Sequence, residues 1–319
     1  MTLFLNEKDV RQILTMPLAV AAVEEALREV SLGLAVNIPR QRTRISKGAL
    51  HILQGAIESQ GIIGYKAYTS TREGNRFLLY LYDSNHGHLR AVIEADYLGM
   101  MRTGAASGVA SKWLSRKNAS TVGLFGSGWQ AQGQLEALCC VRPIARAKVM
   151  ARNPERLADF CQTQSERLGI EVGPCTDAEQ VVRNSDIVTT VTTASEPLIH
   201  FPWVETGTHL NAVGSNALIR REIDEKTIRS CDLVTVDARD VAARECGDLL
   251  PLIEKGRLNW RQVTELGDII AGHADGRTSA EQITLFESQG MAVQDLMVGA
   301  KILAAAEQRG LGQSLPFGG

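Results

Sequence analysis

The chain has 319 residues, 44% hydrophobic and 22% charged, with a formal net charge of -2. Its length suggests about two domains with room for a sizeable core, and its near-neutral charge gives no electrostatic reason to expect nucleic acid or an anionic membrane as a partner. No apolar run approaches the roughly 18 residues of a membrane span, the N-terminus lacks a signal-peptide pattern, and Cys139, Cys140, Cys161, Cys175, Cys231 and Cys246 show no C-x-x-C spacing, so a cytoplasmic protein with reduced thiols is expected.

In chain order, residues 18–32 read as an amphipathic helix. Residues 61–68 and 77–83 read as strands, with hairpin-type punctuation at Asn85-His86-Gly87. Arg102 then precedes a small-residue helix over 103–110. Residues 1–115 therefore form an α+β domain. From residue 121 strand and helix signals alternate. A strand over 121–125 leads into Gly126-Ser127-Gly128-Trp129-Gln130-Ala131 and a helix over 129–141. A strand over 147–151 follows, then a helix capped by Asn153, with Pro154 first and Glu155 in its opening turn. Residues 170–173 make a short strand, and Thr176-Asp177-Ala178-Glu179 reads as a capping box. Strands over 186–191, 209–213 and 233–236 complete the series. Strands spaced by helices in this way predict a Rossmann-type, doubly wound parallel sheet.

The stretch Gly126 to Ala131 is G-x-G-x-x-A between a strand and a helix, the setting of a dinucleotide fingerprint. Gly126 permits the tight turn and Gly128 admits a pyrophosphate where a Cβ would intrude. Ala131 lets the helix pack close to the strand, and the free N–H groups at Trp129 and Gln130 face the phosphates. The next strand ends Ala151-Arg152-Asn153-Pro154-Glu155-Arg156 without the carboxylate that would hold the ribose hydroxyls of NAD. Arg152 and Arg156 flank Asn153 and offer charge-assisted bonds to a 2′-phosphate. NADP(H) is thus expected over NAD(H). Thr193, Ser195, Asp237 and Ser288 are further expected cofactor contacts.

Five blocks carry a family resemblance. They are Arg102-Thr103-Gly104-Ala105-Ala106-Ser107, the Gly126 turn, Asn211-Ala212-Val213-Gly214-Ser215-Asn216, Glu245-Cys246-Gly247-Asp248-Leu249, and Phe286-Glu287-Ser288-Gln289-Gly290-Met291-Ala292. In this order, over about Pro39 to Gly310, the chain resembles the ornithine cyclodeaminase/μ-crystallin family. The resemblance implies a homodimer of two-domain subunits. Residues 1–115 and 292–319 would be the substrate and dimerisation domain, and residues 116–291 the Rossmann dinucleotide domain. It also implies redox chemistry at the α-carbon of a small imino or amino acid.

On that resemblance Arg42 and Arg102 are expected to bind the substrate carboxylate, with Arg40 and Arg44 as neighbouring competitors to Arg42. A guanidinium fork suits a carboxylate better than lysine does. Lys66 resembles the catalytic lysine, touching the carboxylate and relaying a proton, and burial would lower its pKa. A cyclodeaminase-type site resembles one with a Glu upstream of the lysine, where ungapped alignment puts Leu53, and an Asp after Val213-Gly214-Ser215, where Asn216 stands. Asn cannot take a proton at neutral pH, though it can hydrogen-bond near a ring nitrogen.

Both departures favour hydride delivery to a preformed C=N over ring-closing deamination of ornithine. The expected reaction is reduction of a cyclic imino acid such as Δ1-pyrroline-2-carboxylate, with substrate choice involving Leu53, Gln54 and Tyr68. Alternatives are an alanine-dehydrogenase-type enzyme, an ornithine cyclodeaminase, or a non-catalytic NADPH-binding protein. His86-Gly87-His88 lacks a third ligand, so no metal is expected. Asp237, Glu245 and Asp248 lie on separate segments and are not expected to form a site. No G-x-S-x-G supports a hydrolase.

Overall fold

The computed structural model describes residues 2–317. The chain divides into two units, Met1–Arg102 with Gly290–Gly319, and Thr103–Gln289. The division falls inside the helix Asp96–Leu114. Arg102 lies within this helix rather than before it. The helix starts ahead of the small-residue run at Thr103, because Tyr97-Leu98-Gly99-Met100-Met101 is already helical behind an acidic first turn.

The described strands of the first unit are β1 (Thr2–Leu5), β2 (Ala35–Ile45), β3 (Gly48–Ile57), β4 (Ile62–Thr71), β5 (Gly74–Asp83), β6 (Leu89–Glu94) and a C-terminal strand (Gln313–Leu315). They form one sheet in the order C-terminal strand, β1, β6, β5, β4, β3, β2. Strands β2 to β6 run antiparallel to one another, as short hairpin connections require. The β5–β6 turn forms because the Asp83 carboxylate accepts from the backbone N–H of Asn85 and His86, both at 2.9 Å, while Gly87 takes φ +72°. One face of the sheet, with Leu53, Ile57, Ile62, Leu79 and Leu81, is buried. It packs under the C-terminal helix Ala292–Arg309, which also packs on the helix Met16–Ser31. Each such side chain contributes about 1.5–3 kcal/mol on burial. Close approach needs small residues: a Cβ at Gly64 would lie 2.9 Å from the Leu296 side chain, and one at Gly299 would lie 2.4 Å from Leu79.

Strand β2 carries the feature that matters most for the site. Ile38 pairs with Gln54 and Gln41 with Ile52, so Pro39 and Arg40 together oppose Leu53. Pro39 has no N–H to give the ladder, and two residues against one make a β-bulge. The bulge resets the alternation. Arg40, Arg42 and Arg44 then share the face of His51, Leu53 and Lys66.

The second unit holds β7 (Thr121–Phe125), β8 (Arg146–Met150), β9 (Glu171–Pro174), β10 (Ile187–Thr190), β11 (His209–Ala212), β12 (Leu233–Val236), β13 (Val263–Glu265) and β14 (Thr284–Glu287). Among the described residues they form one sheet in the order β13, β12, β14, β11, β10, β7, β8, β9, every pairing parallel. The chain winds from β7 to β9 in one direction and returns with β10 on the other side of β7. The fold is therefore α/β, a doubly wound Rossmann-type sheet accompanied by an α+β unit, with a topological switch point between β7 and β10. Apolar clusters centred on Leu124, Leu135 and Phe160, and on Leu210, Ile223 and Leu285, bury the sheet. The expected capping box at Thr176 is instead an Asp177 cap accepting from the N–H of Glu179 at 2.9 Å. No described helix is long and apolar enough to cross a membrane.

Candidate active site

In the second unit the expected nucleotide residues collect along the carboxyl ends of the parallel strands. Gly126 follows β7 with φ +114°, and a Cβ there would lie 2.8 Å from the Val191 carbonyl, at the switch point. Gly128 is the N-cap of the helix Trp129–Val141, and a Cβ on it would meet nothing within 4 Å. No side chain caps this helix. The helix start and the open space beside Gly128 fit a pyrophosphate. Trp129 is exposed, Gln130 half-buried and Ala131 buried against the sheet.

Past β8, Arg152 and Arg156 are exposed. Asn153 caps the next helix, accepting from the N–H of Arg156 at 2.9 Å. Thr193 and Ser195 are exposed in the loop after β10, whereas Asp237 and Ser288 are buried at the ends of β12 and β14. The Asp237 carboxylate accepts from the N–H of Ala238 at 3.0 Å and of Gln289 at 2.9 Å, so it braces these two strand ends. Asn216 is half-buried in the loop after β11.

That loop hangs on a carboxylate the sequence did not single out. Glu222 is fully buried. Its Oε1 accepts from the N–H and Oγ1 of Thr192 at 2.7 and 2.6 Å, and its Oε2 from Thr190 Oγ1 at 2.8 Å and the Gly214 N–H at 2.7 Å. Asp248 in turn accepts from the Glu222 N–H at 2.9 Å, and Glu287 from Ser215 Oγ at 2.8 Å. Burial raises the pKa of all three carboxyls, and the neighbouring charges add to it, Glu222 acting on Asp248 and Asp248 on Glu287. The acids that cluster are thus Glu222, Asp248 and Glu287, rather than the Asp237, Glu245 and Asp248 set weighed from the sequence. Their spacing of 26 and 39 residues carries no local signal. Among the described residues no group of three or more His, Cys, Asp or Glu is arranged to hold a metal ion.

In the first unit Lys66 and Arg102 meet on one carboxylate. Lys66 Nζ lies 2.7 Å from both oxygens of Asp295, and Arg102 Nε donates to Asp295 Oδ1 at 2.9 Å. Arg102 Nη1 also donates to Gln294 Oε1 at 3.3 Å. Lys66 is 2% and Asp295 0% exposed. The Lys66 pKa falls to about 7, mainly through burial and then the Arg102 charge, with Asp295 pulling the other way. Two cations against one anion leave the cluster net positive, as a carboxylate-binding site must be. Asp295 stands in the first turn of the C-terminal helix, whose start is held by Asn37 Oδ1 accepting from the Ala292 N–H at 2.8 Å. Nothing in Val293-Gln294-Asp295-Leu296 announced it, since its partners are 193 and 229 residues away.

Arg42 pairs across the sheet with His51, while Arg40, at the bulge, is among the charges that depress Lys66. His51 stacks flat on Tyr68 with centroids 4.2 Å apart, and its Nε2 lies 3.0 Å from Ser70 Oγ. Burial first, then Arg40, Arg42 and Arg44, push its pKa down to about 4, so the ring is neutral. Leu53 pairs directly with Lys66 and is buried, whereas Gln54 is exposed and belongs to the opposite face.

The profile of the ornithine cyclodeaminase/mu-crystallin family matches residues 1–309. A Δ1-pyrroline-2-carboxylate reductase from Bacillus cereus is 31% identical, over 99% of this chain and 100% of its own. The Δ1-pyrroline-2-carboxylate reductase of Thermococcus litoralis, solved with NADH and L-proline, superposes with a TM-score of 0.94 at 31% identity, over 98% of this chain and 100% of that one. An archaeal alanine dehydrogenase dimer with bound NAD gives a TM-score of 0.93 at 33% identity, over 99% of each chain.

Proposed function

The chain belongs to the ornithine cyclodeaminase/mu-crystallin family, and from that membership we propose that it is an NAD(P)H-dependent reductase of an imino acid, a cyclic ketimine of the Δ1-pyrroline-2-carboxylate type. The observation that carries this reading is the buried Lys66–Asp295–Arg102 cluster. A protein that only bound a dinucleotide would have no use for a desolvated, net-cationic carboxylate site, which is costly to bury. The likeness to reductases of Δ1-pyrroline-2-carboxylate supports the same class of substrate.

Arg42, Lys66 and Arg102 hold the substrate carboxylate. Arg102 is oriented by Asp295 and Gln294, so its fork is fixed before the substrate arrives. Lys66, with its pKa near 7, can give up or take back a proton at the substrate's anionic end. Asn216 hydrogen-bonds near the imine nitrogen. When bound, the reduced nicotinamide supplies the hydride. Gly126, Gly128, Trp129, Gln130 and Ala131 hold the pyrophosphate, with Thr193, Ser195, Asp237 and Ser288 lining the strand ends beyond. Exposed Arg152 and Arg156, with no carboxylate at the β8 tip, support a preference for the 2′-phosphorylated cofactor.

A homodimer is part of the reading. The face of the first sheet opposite Lys66 exposes Val36, Ile38 and Ile63 at 54%, 37% and 50%, beside the Tyr65–Tyr80 stack. An apolar sheet face of this kind is a protein-contact surface.

Loss of NADPH or NADH absorbance on mixing with Δ1-pyrroline-2-carboxylate tests the proposal. Turnover of the cyclic imine is expected, with little on pyruvate plus ammonium. Preferred turnover of pyruvate and ammonium would make the enzyme an alanine dehydrogenase, ammonia release from ornithine a cyclodeaminase, and cofactor binding without any turnover a binder.

A further inference from the structure

Reduction of a C=N bond needs a proton at nitrogen as well as a hydride at carbon. Lys66 is drawn to Asp295 and to the substrate carboxylate, and an asparagine amide such as that of Asn216 releases no proton at neutral pH. The nitrogen therefore calls for a separate acid. Two residues beyond Lys66 on β4, Tyr68 stands on the same face of the sheet. It pairs with His51 on one side and Phe77 on the other, in the rung next to that of Leu53, Lys66 and Leu79. Both faces of its ring are covered. His51 lies flat against one with centroids 4.2 Å apart, and Phe77 stacks on the other at 4.8 Å. His51 is fixed in turn by Ser70 Oγ, 3.0 Å from its Nε2. Tyr68 is only half-buried, and among the described residues its hydroxyl makes no hydrogen bond. The stack holds the ring and leaves the O–H for another molecule. The spacing suits an imino acid: alternate residues on a strand lie ~7 Å apart. A carboxylate oxygen and the nearby imine nitrogen, each taking a hydrogen bond of about 2.8 Å, bridge a gap of that size.

We propose that Tyr68 is the acid that protonates the imine nitrogen, a catalytic residue placed by the His51–Tyr68–Phe77 stack. The inference rests on the reductase reading above and adds its proton donor. As hydride adds to the imine carbon, the π electrons of the C=N bond move to nitrogen and take the phenolic proton. The O–H bond of Tyr68 breaks and an N–H bond forms, leaving the amino acid, NAD(P)+ and a phenolate that recovers its proton from water. Arg40, Arg42 and Arg44, whose positive charges act on His51 in the same stack, favour that transient phenolate.

Tyr68→Phe removes the hydroxyl and keeps the ring in its stack, so the melting curve and NAD(P)H affinity should match the parent's. With saturating Δ1-pyrroline-2-carboxylate, kcat should fall by about 10²–10⁴, the range of a lost general acid. The deficit relative to the parent should shrink as pH falls, because a substrate that arrives as the iminium already carries its proton. N-methyl-Δ1-pyrrolinium-2-carboxylate never needs one, and variant and parent should reduce it at equal rates. The pH series decides alone where the methyl group keeps this analogue out of the site. A deficit of the same size at every pH would make Tyr68 a structural support and overturn the proposal, as would a variant with the parent's kcat. Either result leaves the reductase reading standing. A parent enzyme that turns over no cyclic imine would remove that reading and the proton donor with it.

Discussion

Lys66 Nζ sits 2.7 Å from each carboxylate oxygen of Asp295, and both side chains are shut off from solvent. Asp295 opposes burial and the Arg102 and Arg40 charges on this lysine, and the balance leaves its pKa at about 7. With the charged lysine needed to hold a carboxylate, kcat/KM should fall as pH rises through about 7. Asp295→Asn removes the group that raises the lysine's pKa, so the fall should move to lower pH. An unmoved profile would mean that Lys66 does not set it. Because breaking a buried ion pair costs roughly 3–5 kcal/mol, circular dichroism and a melting curve belong beside the kinetics.

Lys66→Ala should lower kcat/KM by roughly 10²–10⁴, the range of a lost proton-transfer group. NAD(P)H affinity, measured by fluorescence titration, should stay close to that of the parent, since the expected pyrophosphate-binding residues all lie on the other unit. A comparable loss of cofactor affinity would break the proposed division of labour between the units.

Two glycines of one fingerprint should behave differently. Gly126→Ala forces a Cβ to 2.8 Å from the Val191 carbonyl at φ +114°, a strain of about 1–3 kcal/mol. The melting temperature should drop by several degrees. At Gly128 a Cβ meets no protein atom within 4 Å. Gly128→Ala should therefore melt like the parent and lose cofactor affinity, about tenfold or more. Equal effects on stability would mean that Gly128 is not kept open for a ligand.

The sequence and the structure agree where the information is local. The helix Trp129–Val141 and the Asn153 cap with Pro154 behind it coincide with the reading, because strand run, glycine turn and cap chemistry are all contained in a few residues. Strand β2 escaped notice because Arg40, Arg42 and Arg44 alternate with Gln41 and Thr43, a polar run without hydrophobic period. Strand β14 is four residues ending in Glu287, too short for a pattern, yet it lies between β11 and β12. Asp295 and Glu222 could not be found this way at all. Each works through donors brought by other segments, and only the folded chain makes those pairs.

Arg152→Ala should raise the KM for NADPH about tenfold and leave that for NADH nearly unchanged, since one charge-assisted bond is worth about 1.5–3 kcal/mol. The comparison of the two cofactors in one variant separates a 2′-phosphate contact from a general effect on the β8 end. A parallel rise for both would remove Arg152 as the selecting residue.

The apolar face of the first sheet offers a test of assembly that is independent of chemistry. Ile63 is 50% exposed and pairs with Tyr82 across the sheet. Ile63→Asp places a charge where a partner subunit would exclude water, and a buried unpaired charge is strongly unfavourable. Light scattering should report a monomer for the variant and a dimer for the parent. A parent that is monomeric at micromolar concentration would leave this face without the proposed role.

Glu222 offers the sharpest separation of positioning from folding. Its two oxygens take four donors, from Thr190, from the N–H and hydroxyl of Thr192, and from the Gly214 N–H. These donors lie at the end of β10 and in the loops that follow β10 and β11, the loops that carry Thr193, Ser195 and Asn216. Gly214 is fitted to this brace, since a Cβ there would lie 2.5 Å from Glu222 Oε1. In Glu222→Gln one acceptor becomes an amide NH2, which must face two donors and cannot accept from either. The buried mismatch should cost about 1–3 kcal/mol and splay the two loops while the sheet beneath stays paired. If the loops position the reacting groups, kcat should fall more than KM rises, and the melting temperature should fall only modestly. Glu222→Asp keeps the charge with a shorter reach and should recover part of kcat. A variant that loses stability but keeps its kcat would show that the brace serves the fold alone.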